Sequence, residues 1–477
     1  MKTAFMNLIA FMYQLLWGDL FQIPLPGGGS VGISILVLLL IPTGIYFTFR
    51  TKFLPIRMMP EMLRIAMNRE HRDGDGNCDG NGKGSGSISG MQTLIVATAT
   101  RVGMGNLIGV VAAVSAGGAG AVFWMWVTSL IGASTAFIEA TLAQLHKEKD
   151  PLYGGYRGGP ALYIQNFCKG KGGKRSMVAI LFALSGLLCW CGVSQVISNS
   201  VSSAFYNAFR IPPIVSTVIL VAVAAVVVIK KNATVKVLDV IVPIMAAFYF
   251  VITLVVIGKN LNLLPAVFTR IVEEAFGIRQ VVAGGFGAVL MNGVKRGLFS
   301  NEAGSGSAPC AAAAADVSHP AKAGLFQAFG VLIDTIVICT CTAMLMLLAP
   351  EELLSGLTGM ALLQTAMGHH FGYAGVVFIA VTLWLFSFST FLGILYYARS
   401  NVAYLFGDDW KWQYAYKVLA LVMLFIGGLA TYTFVWDLGD IGVGLMTVFN
   451  IIIILPMGGQ ALDSLKEYAE LRKNGNV

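Results

Sequence analysis

The sequence predicts an all-α polytopic membrane protein: two inverted five-helix halves preceded by one extra N-terminal helix, eleven transmembrane spans in all. Three observations carry this. The chain of 477 residues is 56% hydrophobic and 12% charged, with a mean hydropathy of +0.75, and several apolar runs exceed the roughly 20 residues that cross a bilayer. Two of those runs, Met91–Ser115 and Gln280–Gly306, are interrupted by glycine and polar residues and open the two halves. Such paired interruptions mark the binding site of inverted-repeat transporters. With the N-terminus outside, 26 of the 32 Lys and Arg fall in predicted cytoplasmic loops, five fall outside and Arg101 lies in the membrane. That asymmetry also places the C-terminus in the cytoplasm.

The elements follow in order. Residues 1–28 read as a short apolar helix ending in a PLPGGG turn, Val31–Phe49 as the first span, and Phe53–Glu70 as a basic amphipathic helix on the membrane surface. Residues 71–89 are a low-complexity loop. Its Asp75, Asn77, Asp79 and Gly80 match the start of a calcium loop, but the twelfth position, which needs a bidentate glutamate, is Gly86. These residues, 1–90, precede a first repeat over 91–257 and a second over 258–477. The first repeat reads as Met91–Ser115, Gly120–Leu145, Met177–Tyr206, Pro213–Ile229 and Val235–Ile257. The second reads as Gln280–Gly306, Leu325–Leu348, Tyr373–Tyr397, Ala415–Phe434 and Asp440–Tyr468.

Composition excludes several function classes. The net charge of +8 reflects basic cytoplasmic loops around a lipid bilayer and not a nucleic-acid partner. The seven cysteines lack metal-binding spacing, and the five histidines are scattered, so no structural metal is expected. A channel needs a continuous polar pore or charged rings. An enzyme needs a nucleophile–base pair or metal ligands. Neither pattern occurs.

The broken helices carry the chemistry. A half-helix ending in mid-membrane exposes N–H groups at one break, which suit a carboxylate, and C=O groups at the other, which suit a hard cation such as sodium. Val102-Gly103-Met104-Gly105-Asn106 offers both, and Asn106 adds an amide oxygen. In the second broken helix, Asn292-Gly293 marks the expected break, Lys295 and Arg296 fall on the cytoplasmic side, and Ser300–Gly304 reads as a helix end or gate. Gln195 is a mid-helix amide, and Ser387, Ser389 and Thr390 offer hydroxyls. Asp334, ionisable inside an apolar helix, is a functional candidate by default. Glu139 lies nearer the inner surface as a structural group, and Phe286 and Trp384 could wall a small pocket.

ATRVGMGNLIGV, GGAGAVFWMW, GGYRGGPALYI, GVKRGLFSNEAGSGSAP, HPAKAGL and FGVLIDTIVICT, in this order, resemble the alanine or glycine:cation symporter family over nearly the whole chain. The resemblance implies a LeuT-type fold in the inner (cytoplasmic) membrane and sodium-coupled, in some members proton-coupled, uptake of small neutral amino acids. VGMGN also resembles the unwound first helix of neurotransmitter:sodium symporters. By that match, the carbonyls of Ala99 and Val102 with the hydroxyls of Ser389 and Thr390 form a sodium site, and the amides of Met104 and Gly105 hold the substrate carboxylate. The family likeness adds Gly103, Asn106, Gln195, Phe286, Met291 and Trp384 around the amino acid. Alanine and glycine are the implied substrates, glutamine or serine the rivals. The chain departs from the family pattern in Gly304–Cys310, at Ala323 and at Ala398-Arg399.

Overall fold

A backbone inside lipid must satisfy its own N–H and C=O groups, so long apolar runs fold as helices. The computed structural model describes residues 2–24, 30–67, 103–168, 175–229, 233–278 and 285–475. Among them, five helices are long and apolar enough to cross a membrane: Gly120–Leu145, Met177–Phe209, Pro320–Leu347, Tyr373–Phe406 and Tyr432–Lys473. A sixth arises if Ile244–Lys259 and Leu261–Ala275, bent by 76°, count as one span. Shorter apolar helices occupy Met6–Trp17, Ile35–Arg50, Gly105–Gly117 and Pro213–Ile229.

The Met177–Phe209 helix is the hub, packed against the Tyr432–Lys473, Tyr373–Phe406 and Trp410–Gly427 helices. Small residues permit the closest crossing: a Cβ on Gly192 would lie 2.7 Å from the Gly439 nitrogen. Lipid tails are as apolar as leucine, so close backbone approach and dispersion, not burial from water, hold such helices together. The Gly120–Leu145 helix forms a second centre, in contact with Pro320–Leu347 and Gly285–Asn301.

Several expectations are corrected. The N-terminal helix, Lys2–Trp17, is followed by an antiparallel pair, Phe21–Pro24 with Ser30–Ile33. Leu264–Ala275 and Met360–Phe371 are helices in stretches read as loops. The helix expected over Ala415–Phe434 ends at Gly427, and the last helix starts at Tyr432, not Asp440. Most important, Gly285–Asn301 runs unbroken through Asn292-Gly293. Gly293 serves close packing there, since a Cβ would meet the Trp124 Cβ at 2.5 Å and the Ala121 oxygen at 2.6 Å. The first half of the first broken helix and the 71–89 loop lie outside the described residues.

Candidate functional site

In the first interrupted stretch the described chain enters a wide, π-type turn at Gly105–Gly109. Asn106 organises it. Its Oδ1 accepts from the Gly103 amide at 2.9 Å, and its Nδ2 donates to Asp334 Oδ1 at 2.6 Å. The Met104 amide donates to Thr390 Oγ1 at 3.0 Å. Gly105 lies hard against the second interrupted helix: a Cβ there would sit 3.2 Å from the Ser300 Cα. Glycine lets the two backbones approach this closely without either giving way.

The second break falls at Glu302–Ser307, between the Gly285–Asn301 helix and a short Ala308–Ala312 helix. Glu302, Gly304 and Gly306 take φ values of +57°, +91° and +81°. For glutamate this left-handed conformation is unusual, and it turns the chain out of the helix. Side chains satisfy the freed backbone: Asn301 Oδ1 accepts from the Ala303 amide at 3.1 Å, and Ser305 Oγ donates to the Glu302 carbonyl at 2.7 Å.

Asp334 joins the two breaks. It sits in a second π-type turn, Ile333–Cys339, and is fully buried. Beyond Asn106, its Oδ2 accepts from Ser300 Oγ at 2.9 Å and Thr335 Oγ1 at 3.0 Å. Three donors converge on this one carboxyl group and bind both interruptions to it. Wide turns of this kind cluster at functional sites because they re-aim side chains within a helix.

Between the breaks lies a cavity of about 40 Å³. Met104, Gly105, Ser300, Glu302, Ser305 and Thr390 line it, and Trp190, Val193 and Ile394 are among the apolar groups of its wall. The structure therefore brings together Met104, Gly105 and Thr390, with Gly103 and Asn106 directly behind them. Ser389 is next to Thr390, with its hydroxyl donating to the Phe386 carbonyl at 2.8 Å.

Other expected residues stand elsewhere. Gln195 points away from this cavity, its Nε2 donating to Met423 Sδ at 3.4 Å. Trp384 stacks on Phe388 at 5.7 Å. Phe286 packs on Trp124, and Met291 accepts from Ser34 Oγ, both toward the far end of the Gly285–Asn301 helix from Ser300. Ala99 and Val102 lie outside the described residues. Lys295 and Arg296 do not reach a cytoplasmic surface; both are buried against Asp440, eight residues into the last helix. The sequence reading of Ser300–Gly304 as a helix end agrees with the helix stopping at Asn301, but it did not place Ser300 and Glu302 in the site, and it missed Ser305 and Trp190. The signal for Ser300, Glu302 and Ser305 was the Gly304-Ser305-Gly306 run, a stronger helix breaker than a single Asn-Gly.

The family model for the sodium:alanine symporter family matches residues 28–477. The chain belongs to that family. It is thus a multi-pass membrane transporter, one of a family of sodium-coupled amino acid symporters. It is 41% identical over 445 residues to the probable sodium/glutamine symporter GlnT of Bacillus subtilis, covering 93% of this chain and 89% of that one. It is 34% identical over 444 residues to the sodium/alanine symporter AgcS of Methanococcus maripaludis, covering 92% and 95%. Among solved structures it resembles MhsT in complex with L-phenylalanine, with a TM-score of 0.51 at 12% identity over 80% of this chain and 89% of that one. That likeness shows the LeuT-type fold.

Proposed function

We propose that this protein imports small neutral amino acids, alanine and glycine, together with sodium across the cytoplasmic membrane by alternating access. In this reading the chain makes eleven spans, with the N-terminus outside and the C-terminus inside. The observation that carries the substrate assignment is the cavity between the two breaks. At about 40 Å³ it offers room for roughly three waters. That is less than glycine's five or alanine's six heavy atoms, so the wall of Trp190, Val193 and Ile394 must give for any amino acid, least for glycine and alanine and most for glutamine.

The residues present suit this chemistry. The amides of Met104 and Gly105, at the start of a half-helix, receive the substrate carboxylate. Hard oxygen donors suit sodium: the carbonyls of Ala99 and Val102 and the hydroxyls of Ser389 and Thr390. The Met104–Thr390 hydrogen bond supplies a route for coupling. A carboxylate that takes the Met104 amide releases a lone pair on Thr390 Oγ1, which then faces the ion. Each ligand so prepares the site for the other, as linkage requires.

A second reading, glutamine transport, is favoured by the 41% identity to a relative named for glutamine. Equilibrium binding of radiolabelled alanine and glutamine to the purified protein, with and without sodium, separates the two. Sodium-dependent alanine binding that glycine displaces supports the small-pocket reading; glutamine binding with no alanine binding rejects it. Gly105→Val, which drives a branched side chain into Ser300, should abolish binding of either.

A further inference from the structure

The second break is held from outside the cavity by a clamp. Glu139, fully buried in the Gly120–Leu145 helix, accepts from the Gly304 amide at 3.2 Å through Oε1 and from Asn450 Nδ2 at 2.8 Å through Oε2. Asn450, in the last helix, also donates Nδ2 to the Gly304 carbonyl at 3.0 Å. Its Oδ1 accepts from the hydroxyl of Tyr163, in the short Pro160–Phe167 helix. Both orphaned backbone groups of Gly304 are thus satisfied by two side chains from different helices. Every atom has the partner type it requires: a carboxylate that can only accept, an amide nitrogen that only donates, an amide oxygen that accepts from tyrosine. Gly306 is pressed against the same group, since a Cβ there would come within 2.7 Å of the Pro160 Cγ and 3.1 Å of the Asn450 Cγ.

We propose that Glu139 and Asn450 are positioning residues for the substrate site, clamping Gly304 so that Glu302 and Ser305 line the cavity in a fixed shape. Through Tyr163, a displacement of the Pro160–Phe167 helix loosens the clamp and reshapes the cavity. This rests on the reading of that cavity as the amino acid site.

The test is alanine transport kinetics in proteoliposomes for wild type, E139Q, N450D and E139Q/N450D. In E139Q, the new amide sets a donor against either Asn450 Nδ2 or the Gly304 amide. The KM for alanine should rise roughly 10- to 100-fold, the loss expected for one buried charge-assisted hydrogen bond, while kcat changes far less. In N450D and in the double variant a carboxylate oxygen replaces the donor to the Gly304 carbonyl, so both should keep a raised KM. Loss of folded protein alone would lower the rate without moving KM. Wild-type KM in E139Q or in N450D overturns the inference. If wild type itself does not transport alanine, it is the substrate reading that fails. Should E139Q not fold, Tyr163→Phe carries the test. Peptides spanning 302–307 should exchange amide hydrogen faster than in wild type, and unchanged exchange overturns the proposal.

Discussion

Arg296 grips Asp440 through two parallel hydrogen bonds, Nη1 to Oδ1 and Nη2 to Oδ2, both 2.9 Å. Lys295 Nζ stands 3.1 Å from the same carboxylate and donates to the Tyr13 hydroxyl, and Trp17 Nε1 donates to the Asp440 carbonyl at 3.0 Å. The cluster joins the N-terminal helix, the second interrupted helix and the last helix one turn from the cavity-lining Phe299 and Val443. Asp440→Asn strips two buried cations of the carboxylate they touch, leaving Asp437 as the nearby counter-charge. It should lower stability by about 3–5 kcal/mol, the usual consequence of stripping one partner from a buried ion pair. The melting temperature in detergent measures this; an unshifted transition would contradict the assignment.

Asn106→Ala removes the acceptor for the Gly103 amide and the donor to Asp334 together. Each buried group left unsatisfied costs about 1–3 kcal/mol, and the loss falls on the site itself. Alanine affinity should drop sharply while the remaining helices keep their packing. Binding isotherms and circular dichroism on the same sample read both effects. Wild-type affinity in this variant would show that the Asn106–Asp334 contact does not shape the site.

Thr390→Val keeps the side-chain shape and deletes the oxygen that accepts from the Met104 amide. The sodium concentration for half-maximal uptake should rise about tenfold or more, as expected for a lost bond to a charged group. Ser389→Ala should shift sodium dependence in the same direction. Uptake by Thr390→Val with unchanged sodium dependence would remove Thr390 from the ion site.

His319 gives a pH dependence outside the membrane spans. Its Nδ1 accepts from the Ala321 amide at 3.2 Å and caps the helix that begins at Pro320. Burial holds its pKa below the ordinary 6.5, against the opposing pull of Glu467, while Lys322 adds to the lowering. The folded state therefore prefers neutral histidine, and the unfolded chain binds the extra proton. Stability from this group is present above pH 6.5 and is lost as pH falls through the lowered folded value. The melting temperature of wild type should fall more steeply than that of His319→Gln as pH drops from 7 to 5. Parallel curves would contradict this.

Helix positions were legible wherever an apolar run met a strong boundary. Gly120–Leu145 and Pro213–Ile229 match the expectation end to end, because glycine precedes one and proline opens the other. The second break was misplaced because a glycine in an apolar helix has two meanings. Gly293 and Gly297 admit neighbouring side chains, with hypothetical Cβ atoms 2.5 Å from Trp124 Cβ and from Thr128 Oγ1, whereas Gly304 and Gly306 carry positive φ. A single sequence does not separate close packing from unwinding. Gln195 was expected in the site through the family likeness and as a mid-helix amide, yet Cys189, Trp190 and Val193 are the residues of that helix that face the cavity. Gln195 lies on another face, against Gly427, where a Cβ would stand 2.2 Å from the Gln195 Cα. Of the first break only the part from Gly103 onward lies within the described residues; there the dense glycines pointed to irregular backbone, and Gly105–Gly109 form a π-type turn.

The most direct test of the central claim is uptake of radiolabelled alanine into proteoliposomes under an inward sodium gradient, an inward proton gradient, or neither. Unlabelled glycine, serine and glutamine serve as competitors. The account predicts accumulation that requires the sodium gradient and is blocked by glycine far better than by glutamine. Uptake driven by protons alone, or glutamine accumulated in place of alanine, would contradict it.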